Sequence, residues 1–495
     1  MCSEAPMTFK PLKIVFHIRP WEVGLHTALE KLFSENFPGA FEYIYMTHHF
    51  EAEYLLRQKG KDCLNITQEM KRIPFPPDWR DRLQSMENRC SGQTRNFMQY
   101  LIAERFFKNK PRPYQWQKLY KMAVFYDSFF EKNKPFFMLS NGPDHLAFWL
   151  AMDLMRGHGG HPCGLVGVSW PRGHFSRHIG VGEIYYGPQL YREYLERGLT
   201  PGERRYVEEL QTAFIQGKSV PINISQERFS LIRKRDFKTK VKDRLKSMYW
   251  GVVERVRRNW YVQPYAYPWN FLVNALRWRY AAYKTQTYFN EDLPQGVPFI
   301  FFPLHLEPEA TTQLYANYYE NQLETITFLA KSLPVSWVLA VKEHPNMQEA
   351  RPRSFYRGLR RLPNVVLISR DIPSWRLVQE CRLVATLSGS SGLEAAIIGK
   401  PALFFGDPPW GYSPTALKVK SIHELSRTLQ EAGQLALPRD DERVQAFILS
   451  WVKANPQGIY EQFPWLPPVD DPANVILIGS ALMELMKDLQ NGHQA

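Results

Sequence analysis

The sequence predicts an α/β protein in which two parallel, doubly wound sheets face one another across a cleft. Two observations lead to this prediction. Short apolar strands alternate with helical stretches in each half of the chain, and a basic, aromatic segment separates the halves. A strand, a helix and another strand in succession favour a parallel sheet, which binds ligands at the carboxyl ends of its strands. The 495 residues suffice for two or three domains.

Each sheet is predicted from apolar runs of strand length. The runs of the first half lie at 13–18, 41–46, 135–139 and 164–170. Those of the second half lie at 298–304, 337–342, 365–368, 383–387 and 402–405. Helices are expected between the later strands at 312–331, 353–361, 373–380 and 391–399. We therefore divide the chain into Rossmann-type domains at 1–227 and 297–437, a helical segment at 228–296 and helices at 438–495 that pack back.

The positive charge of the chain, +13 in total, is concentrated between the two halves. Residues 228–258 hold twelve basic and three acidic side chains, with apolar residues that indicate a helix, and Trp and Tyr residues follow up to 283. A cationic helix beside Trp and Tyr is typical of a protein on an anionic membrane surface. A solvated helical face followed by core aromatics explains the pattern equally well. Nucleic acid is not expected as a partner, because no nucleic-acid module accompanies the charge.

Several classes of protein are disfavoured. The apolar run at 146–155 is interrupted by Asp153 and is too short to span a membrane. The start of the chain, with Glu4 and Pro6, lacks the pattern of a signal peptide. Five scattered cysteines without a CxxC pair argue against disulfides and a zinc site. A cytoplasmic location is expected.

The first candidate site is the sequence around His305, Glu307 and Glu309, directly after the first strand of the second half. In an extended chain these alternate residues would face one way. A carboxylate here could accept the proton of an acceptor hydroxyl or stabilise positive charge at a sugar carbon. The alternative is that Glu309 favours the first turn of the next helix through the helix dipole. We favour the catalytic interpretation.

The second candidate is Lys342 with His344, which closes the following strand before Pro345. Two residues apart, they share a face and suit the phosphate of a nucleotide. The third is the serine loop, Ser388-Gly-Ser-Ser-Gly-Leu-Glu394, between a strand and an apolar helix. Ser391 and Glu394 fit a capping box, and a capped helix start can still bind phosphate if Ser390 and the amides point outward. Its candidate nucleotide-binding residues are Ser388, Ser390, Ser391 and Glu394.

The first half offers weaker candidates. Asp144 is a possible catalytic base beside His145, although a helix cap is slightly favoured. His17, Arg19 and His26 are placed at the end of the first strand and in the loop after it, where an acceptor would bind. Arg172 is a candidate for an anionic substrate group. No metal site is indicated. The adjacent aspartate pairs, at 440–441 and 470–471, precede predicted helices or turns outside the sheets.

Three motifs resemble the bacterial capsule polysaccharide biosynthesis family: Pro-Leu-His-Leu-Glu-Pro-Glu at 303–309, Lys-Glu-His-Pro at 342–345 and Leu-Ser-Gly-Ser-Ser-Gly-Leu-Glu at 387–394. Gly-Lys-Pro-Ala-Leu follows at 399–403. The better-understood members are GT-B glycosyltransferases of the Kdo-transferase kind, which use CMP-activated sugars. The resemblance covers roughly 299–406 well and the first half only by layout.

This resemblance implies a GT-B-like, metal-independent glycosyltransferase without a cofactor, using a CMP-linked sugar as donor. Lys342, His344, Ser390 and Ser391 would contact the nucleotide phosphate, the loop 369–375 the base, and Glu307 or Glu309 would line the reaction centre. The acceptor would be a glycan or a lipid-linked glycan. Such enzymes work at the inner membrane face beside other polysaccharide assembly proteins, which implies peripheral attachment through 228–283.

Three alternatives remain open. UDP-N-acetylglucosamine 2-epimerases share two Rossmann domains and a Ser-Gly loop, but they need no acceptor or membrane segment. Polyol-phosphate transferases of the teichoic-acid kind usually carry an aspartate before the serine loop, where this chain has Thr386-Leu387-Ser388. A non-catalytic anion-binding protein attached to a membrane would leave Glu307, Glu309 and His344 unexplained.

Overall fold

The computed structural model confirms an α/β fold with two separate six-stranded sheets. It describes residues 11–90, 96–104, 106, 110–142, 145–217, 237–259, 276, 280, 283, 287–307, 309–344, 347, 351–369, 371–460 and 468–492. The first sheet has the order β3-β2-β1-β4-β5-β6, in which β6 runs antiparallel to β5 and the other pairs are parallel. Its strands are β1 Leu12–His17, β2 Phe41–Thr47, β3 Leu64–Asn65, β4 Phe137–Asn141, β5 His161–Gly167 and β6 Phe175–His178.

The second sheet is parallel throughout, with the order β12-β11-β10-β7-β8-β9. Its strands are β7 Phe299–Pro303, β8 Val338–Lys342, β9 Val365–Ile368, β10 Leu383–Thr386, β11 Ala402–Phe404 and β12 Ala416–Lys418. All nine predicted strands overlap observed ones. The sequence missed β3, β6 and β12, because these short strands (Leu-Asn, Phe-Ser-Arg-His and Ala-Leu-Lys) contain polar residues and do not form apolar runs.

Helices cover both sheets. Those of the first half are α1 Val23–Asn36, α2 Phe50–Gln58, α3 Ile66–Arg72, α4 Trp79–Arg89, α5 Phe97–Ala103, α6 Arg112–Asn133, α7 Leu146–Gly157, α8 Gly187–Arg197 and α9 Pro201–Ile215. The remaining ones are α10 Phe237–Val256, α11 Ala310–Gln313, α12 Gln322–Ser332, α13 Arg353–Arg360, α14 Ser374–Glu380, α15 Ser390–Ile397, α16 Leu425–Gly433, α17 Glu442–Ala454 and α18 Pro472–Gln490. Every residue of the apolar run 146–155 is buried, so α7 is a core helix. Within the described ranges, no helix is both long and apolar enough to cross a membrane.

The single helix expected at 312–331 is wrong. The chain forms α11, then a turn, then α12. Within the turn, the Tyr315 carbonyl accepts a hydrogen bond from Asp407 N at 2.9 Å, and the Tyr315 ring lies 6.3 Å from the Trp149 ring of the first half. Tertiary contacts of this kind override helical periodicity. The helices predicted at 353–361, 373–380 and 391–399 are confirmed as α13, α14 and α15.

The last helices contact elements from earlier in the chain. Asp441 and Asp471 cap α17 and α18, as expected from their position before helices. Helix α17 packs on α8, while α18 packs on α1 and its Ile478 shares a core cluster with Phe16. In α9, Gln211 donates a hydrogen bond to the carbonyl oxygen of Ile397 at 2.8 Å, so this helix meets the second sheet's layer. The domain boundaries stay a prediction.

Candidate active site

The three motifs of the second half meet at one edge of the second sheet. The serine loop follows β10, the His305 segment follows β7, and Lys342 ends β8. These strands are neighbours and run parallel, so their carboxyl ends lie side by side. This is the edge where α/β sheets bind ligands.

His305 supports the start of the serine loop. Its Nε2 lies 3.1 Å from Thr386 Oγ1, which accepts a hydrogen bond from Gly389 N at 3.0 Å. Burial, together with the smaller effects of the nearby His344 and Arg351, lowers the pKa of His305 to about 3. The imidazole is therefore neutral at pH 7. In the structure it holds the loop and supplies no charge to a ligand.

Helix α15 begins without a side-chain cap. Its N-cap residue is Gly389, which has no side chain to accept a hydrogen bond from the first turn. The capping box predicted for Ser391 and Glu394 is therefore wrong, because both residues lie inside the helix. First-turn amides at the positive end of a helix dipole form a site for an anion.

Glu394 lies buried behind this loop, with 1% of its surface exposed. Burial raises the pKa of Glu394 to about 8, and a hydrogen bond from Ser390 offsets only part of the shift. The carboxyl is therefore mostly protonated at pH 7. Within the part of the chain that the structure describes, Glu394 Oε1 has no hydrogen-bond partner. A buried neutral carboxyl with an unused oxygen is suited to a ligand hydroxyl.

A buried arginine that the sequence analysis missed organises the segment after β7. Arg351 Nη1 donates to Glu307 Oε2 at 2.7 Å and Arg351 Nη2 donates to the His305 carbonyl at 2.6 Å. Arg351 Nε also donates to Glu343 Oε2 at 3.0 Å. Gln322 donates to Glu307 Oε1 and to the His305 carbonyl. Arg351 lies in no recognisable motif, so only its tertiary contacts reveal it.

These contacts bear on the predicted catalytic carboxylates. Both oxygens of Glu307 are engaged, which suits a residue that shapes the loop better than one that accepts a proton. The carbonyl of Glu309 accepts hydrogen bonds from the amides of Thr312 and Gln313 at 3.2 and 3.0 Å, so Glu309 lies at the start of α11. Strand β7 ends at Pro303, and the strand alternation does not extend to these residues. Their catalytic roles stay predictions.

Lys342 and His344 leave β8 at the same edge. The Lys342 ammonium donates to the carbonyl of Ile372 and lies 3.5 Å from Ser374 Oγ. It therefore holds the loop 369–375, where the nucleotide base is predicted to bind. The amide of His344 donates to Glu343 Oε1 at 2.8 Å, and the His344 side chain is half-buried. The phosphate contacts of both residues stay predictions.

The carboxyl edge of the first sheet carries a second polar cluster. His17 ends β1, and its Nε2 lies 3.4 Å from the Tyr126 hydroxyl, which is 2.9 Å from His48 Nε2. Burial lowers the pKa of His17 to about 3, with Arg19 and His49 adding to the shift. His26 was expected in the loop after this strand, but it lies in α1. Its Nδ1 is 3.0 Å from the Glu22 carbonyl.

Arg19 is built into this edge and is only 5% exposed. Its Nη2 donates to His145 Nε2 at 2.8 Å, and its guanidinium lies 4.7 Å from the centre of the Phe148 ring. The backbone amide of Arg19 donates to Glu22 Oε2 at 2.7 Å. Glu22 Oε1 in turn accepts from Asn141 Nδ2 at 2.7 Å and from the Tyr460 hydroxyl. No local sequence pattern points to Tyr460, which lies more than 300 residues after Asn141 in the chain.

Two candidates of the first half stay without support. Asp144 lies outside the described residues, so its roles as a catalytic base and as a helix cap both stay predictions. At the start of α7, the Leu146 amide donates to Glu104 Oε2 at 3.0 Å. Arg172 is exposed in the loop after β5, and its carbonyl lies 3.0 Å from His174 Nδ1. Among the described residues, no group of three or more His, Cys, Asp or Glu side chains is placed to hold a metal.

Helix α10 confirms the helix expected within 228–258 and exposes an apolar stripe. The stripe has a spacing of three and four residues, which places its members on one helix face. Its residues and their exposures are Val241 (40%), Leu245 (58%), Tyr249 (63%), Val252 (54%) and Val256 (74%). Exposed cations flank the stripe at Lys242, Lys246, Arg255, Arg257 and Arg258. Most of the predicted aromatic belt at 260–283 lies outside the described residues.

Comparison with known proteins agrees with the motifs. Residues 272–414 match the family described as capsule polysaccharide biosynthesis protein. Protein FixF of Sinorhizobium fredii (strain NBRC 101917 / NGR234) is 25% identical over 163 residues, which is 32% of this chain and 38% of FixF. The match thus spans well under half the length of this curated relative.

Solved structures with a similar fold share little sequence. Thermosulfurimonas dismutans KpsC, a beta Kdo 2,7 transferase, is 11% identical, with 66% of this chain and 78% of that chain covered and a TM-score of 0.36. The UDP-GlcNAc 2-epimerase of Methanocaldococcus jannaschii is 12% identical, with 88% of this chain and 98% of that chain covered and a TM-score of 0.24. A glycosyltransferase of Rickettsia africae ESF-5 is 9% identical, with 97% of this chain and 99% of that chain covered and a TM-score of 0.28. Likenesses this distant do not extend to activity.

The two six-stranded sheets confirm the predicted α/β fold class. Residues 272–414 match the model of the capsule polysaccharide biosynthesis family, which agrees with the resemblance seen in the motifs.

Proposed function

We propose that the protein transfers a sugar from a nucleotide donor at the second sheet to a glycan or lipid-linked acceptor at the first sheet, without a metal ion. The observation that carries this proposal is the uncapped start of α15 beside His305, with Glu394 buried behind it. Helix amides bind the donor phosphate, and the neutral Glu394 carboxyl meets a hydroxyl of the ribose. Ser388, Ser390, Ser391 and His344 complete the phosphate site.

The donor is a CMP-linked sugar, of the acidic Kdo type by resemblance to the family. One short helix terminus and a neutral His305 suit a single phosphate better than a diphosphate. The Lys342 ammonium already donates to the Ile372 carbonyl and lies 3.5 Å from Ser374 Oγ, so fewer of its N–H groups are left for a second phosphate. In this arrangement Lys342 keeps the loop 369–375 against the nucleotide base.

The reaction joins the acceptor to the sugar in one bond exchange. The acceptor hydroxyl oxygen bonds to the anomeric carbon, the bond from that carbon to the phosphate oxygen breaks, and CMP leaves. A carboxylate takes the hydroxyl proton, and Glu309 and Asp144 are the candidates. His17, Arg19 and Arg172 orient the acceptor, and the helix amides of α15 stabilise the charge on departing CMP.

Helix α10 holds the protein on the anionic inner membrane surface, from the cytoplasmic side. The apolar stripe inserts among the lipids while the flanking cations bind anionic headgroups. A lipid-linked acceptor is then presented directly at the surface. Replacing Leu245 and Tyr249 by Ser should lower the amount of protein that sediments with phosphatidylglycerol vesicles about tenfold. Neither the unaltered protein nor this variant should sediment with phosphatidylcholine vesicles.

The thermal stability of the protein in CMP, CDP, UDP and GDP tests the donor site, since a ligand bound only by the folded state raises the melting temperature. Selective stabilisation by CMP, lost in His344→Ala, supports the proposal. Selectivity for UDP would favour an epimerase or a UDP-sugar transferase instead. No shift with any nucleotide would overturn the nucleotide site. Stabilisation by CMP in excess EDTA would agree with metal independence.

A further inference from the structure

Helix α10 is joined to the first sheet by a buried carboxylate. Glu254 is 6% exposed, and its Oε1 accepts hydrogen bonds from Phe50 N at 2.7 Å and Glu51 N at 3.2 Å. These amides open α2, whose own N-cap residue, His49, makes no side-chain cap. Glu254 therefore caps α2 from a distant part of the chain, at the positive end of the helix dipole.

A second residue extends this contact to the strand end. Asn259 Nδ2 donates to Glu254 Oε2 at 2.6 Å and to the His48 carbonyl at 2.9 Å. Thr67 Oγ1 donates to the same carbonyl at 2.9 Å. Arg258 adopts φ +55°, a left-handed turn that ends α10 and brings Asn259 back toward Glu254. We call Glu254 and Asn259 together the clamp.

The clamp holds the segment 47–50, which leaves β2 next to the end of β1. Thr47 Oγ1 donates to the Ile18 carbonyl at 2.8 Å, beside Arg19. His48 reaches His17 through the Tyr126 hydroxyl. Three contacts, from Asn259 to His48, from His48 to Tyr126 and from Tyr126 to His17, therefore connect the end of helix α10 with the residues expected to meet the acceptor.

We propose that Glu254 and Asn259 are positioning residues that transmit contact of α10 with an anionic bilayer to the acceptor edge of the first sheet. The inference rests on the membrane docking in the proposed function. A bilayer that immobilises α10 makes opening of the clamp rarer, and a closed clamp orders segment 47–50. The residues at the acceptor edge of the first sheet are then ordered when the protein is bound to the membrane surface that supplies its acceptor.

Amide hydrogen exchange of the full chain, with and without phosphatidylglycerol vesicles, tests the coupling. In the unaltered protein, anionic vesicles should slow exchange of the Phe50 and Glu51 amides about tenfold, a coupling of ordinary size between sites. In Glu254→Gln and in Asn259→Ala, vesicles should still slow exchange in α10 but change these two amides less than about twofold. A purely structural role of the clamp would alter the exchange rates with and without vesicles alike.

The matched control is Glu69→Gln, which removes a half-buried carboxylate paired with Arg72 at 2.7 Å in the same half of the chain. It should keep the tenfold vesicle effect. If Glu254→Gln fails to fold, Asn259→Ala still tests the inference, because it leaves the α2 cap in place. The inference is overturned if anionic vesicles still slow exchange of the Phe50 and Glu51 amides about tenfold in Asn259→Ala and in any folded Glu254→Gln. It is also overturned if the unaltered protein binds vesicles and shows no slowing at these two amides. Failure of that protein to bind vesicles overturns both docking and coupling, whereas the nucleotide panel tests sugar transfer separately.

Discussion

Arg351 Nε donates a hydrogen bond to Glu343 Oε2 at 3.0 Å, and the two side chains are 2% and 0% exposed. The same guanidinium binds Glu307 and the His305 carbonyl. One buried cation therefore ties the ends of β7 and β8 together at the candidate active site. Burying a charge is costly, so the network depends on every partner being present.

Arg351→Met should lower the free energy of unfolding by about 3–5 kcal/mol, because it leaves the Glu343 carboxylate buried without its cation. Urea denaturation measures the change. The matched control is Arg376→Met, which removes an arginine with 54% of its side chain exposed, paired with Glu380. The control should cost at most about 1 kcal/mol. An equal loss in the two variants would contradict the importance of burial here.

Gly389→Ala should cost about 1–3 kcal/mol and weaken stabilisation by CMP. The added Cβ would lie 2.8 Å from His305 Nε2 and 3.0 Å from Thr386 Oγ1, so the serine loop would have to shift. Melting curves with and without CMP report both effects. Gly202→Ala serves as control, because nothing lies within 4 Å of a Cβ at that position in α9. A Gly389→Ala protein as stable as the original would show that the loop yields easily.

Glu394→Gln should remove a pH dependence of stability. Burial raises the pKa of Glu394 to about 8 from its ordinary value of 4.5. Between these values the folded chain keeps a proton that the unfolded chain has lost, so stability falls as the pH rises, by up to about 1.4 kcal/mol per pH unit. Urea unfolding at pH 5.5, 6.5 and 7.5 should show that the free energy of unfolding falls less with rising pH in Glu394→Gln than in the original protein. Parallel curves for the two proteins would rule out a shifted carboxyl.

His17→Leu should change the acid limb of the stability profile. The pKa of His17 is lowered to about 3 from 6.5, mainly by burial. Below pH 6.5 the unfolded chain takes up a proton that the folded chain refuses, so stability is lost as the pH falls toward 3. As the pH falls through this range, the free energy of unfolding of the variant should decrease by up to about 1.4 kcal/mol less per pH unit than that of the original protein. Denaturation at pH 4.5, 5.5 and 6.5 compares the slopes, and identical slopes would contradict the prediction.

The sequence predicted the sheets well because buried parallel strands are local apolar runs bounded by polar residues. It also brought the His305, Lys342 and serine motifs to one edge, since parallel strands share their carboxyl ends. It could not predict Arg351, Gln322 or Tyr460, because each reaches its partners through tertiary contacts with no local pattern. The capping box failed for a similar reason. Thr386 and His305 fix the loop so that the helix starts at Ser390.

The packing of α18 on α1 has a consequence for how the protein is made. Ile478, Leu482 and Leu485 fill the same core cluster as Phe16 and Leu29, so the first sheet's layer is completed by residues translated long after its strands. Roughly 300 residues separate β6 from α18, which at about 5–20 residues per second is a delay of about 15–60 s. During that time the nascent first half presents the uncovered apolar face of α1. A ribosome-associated chaperone would find its binding surface there.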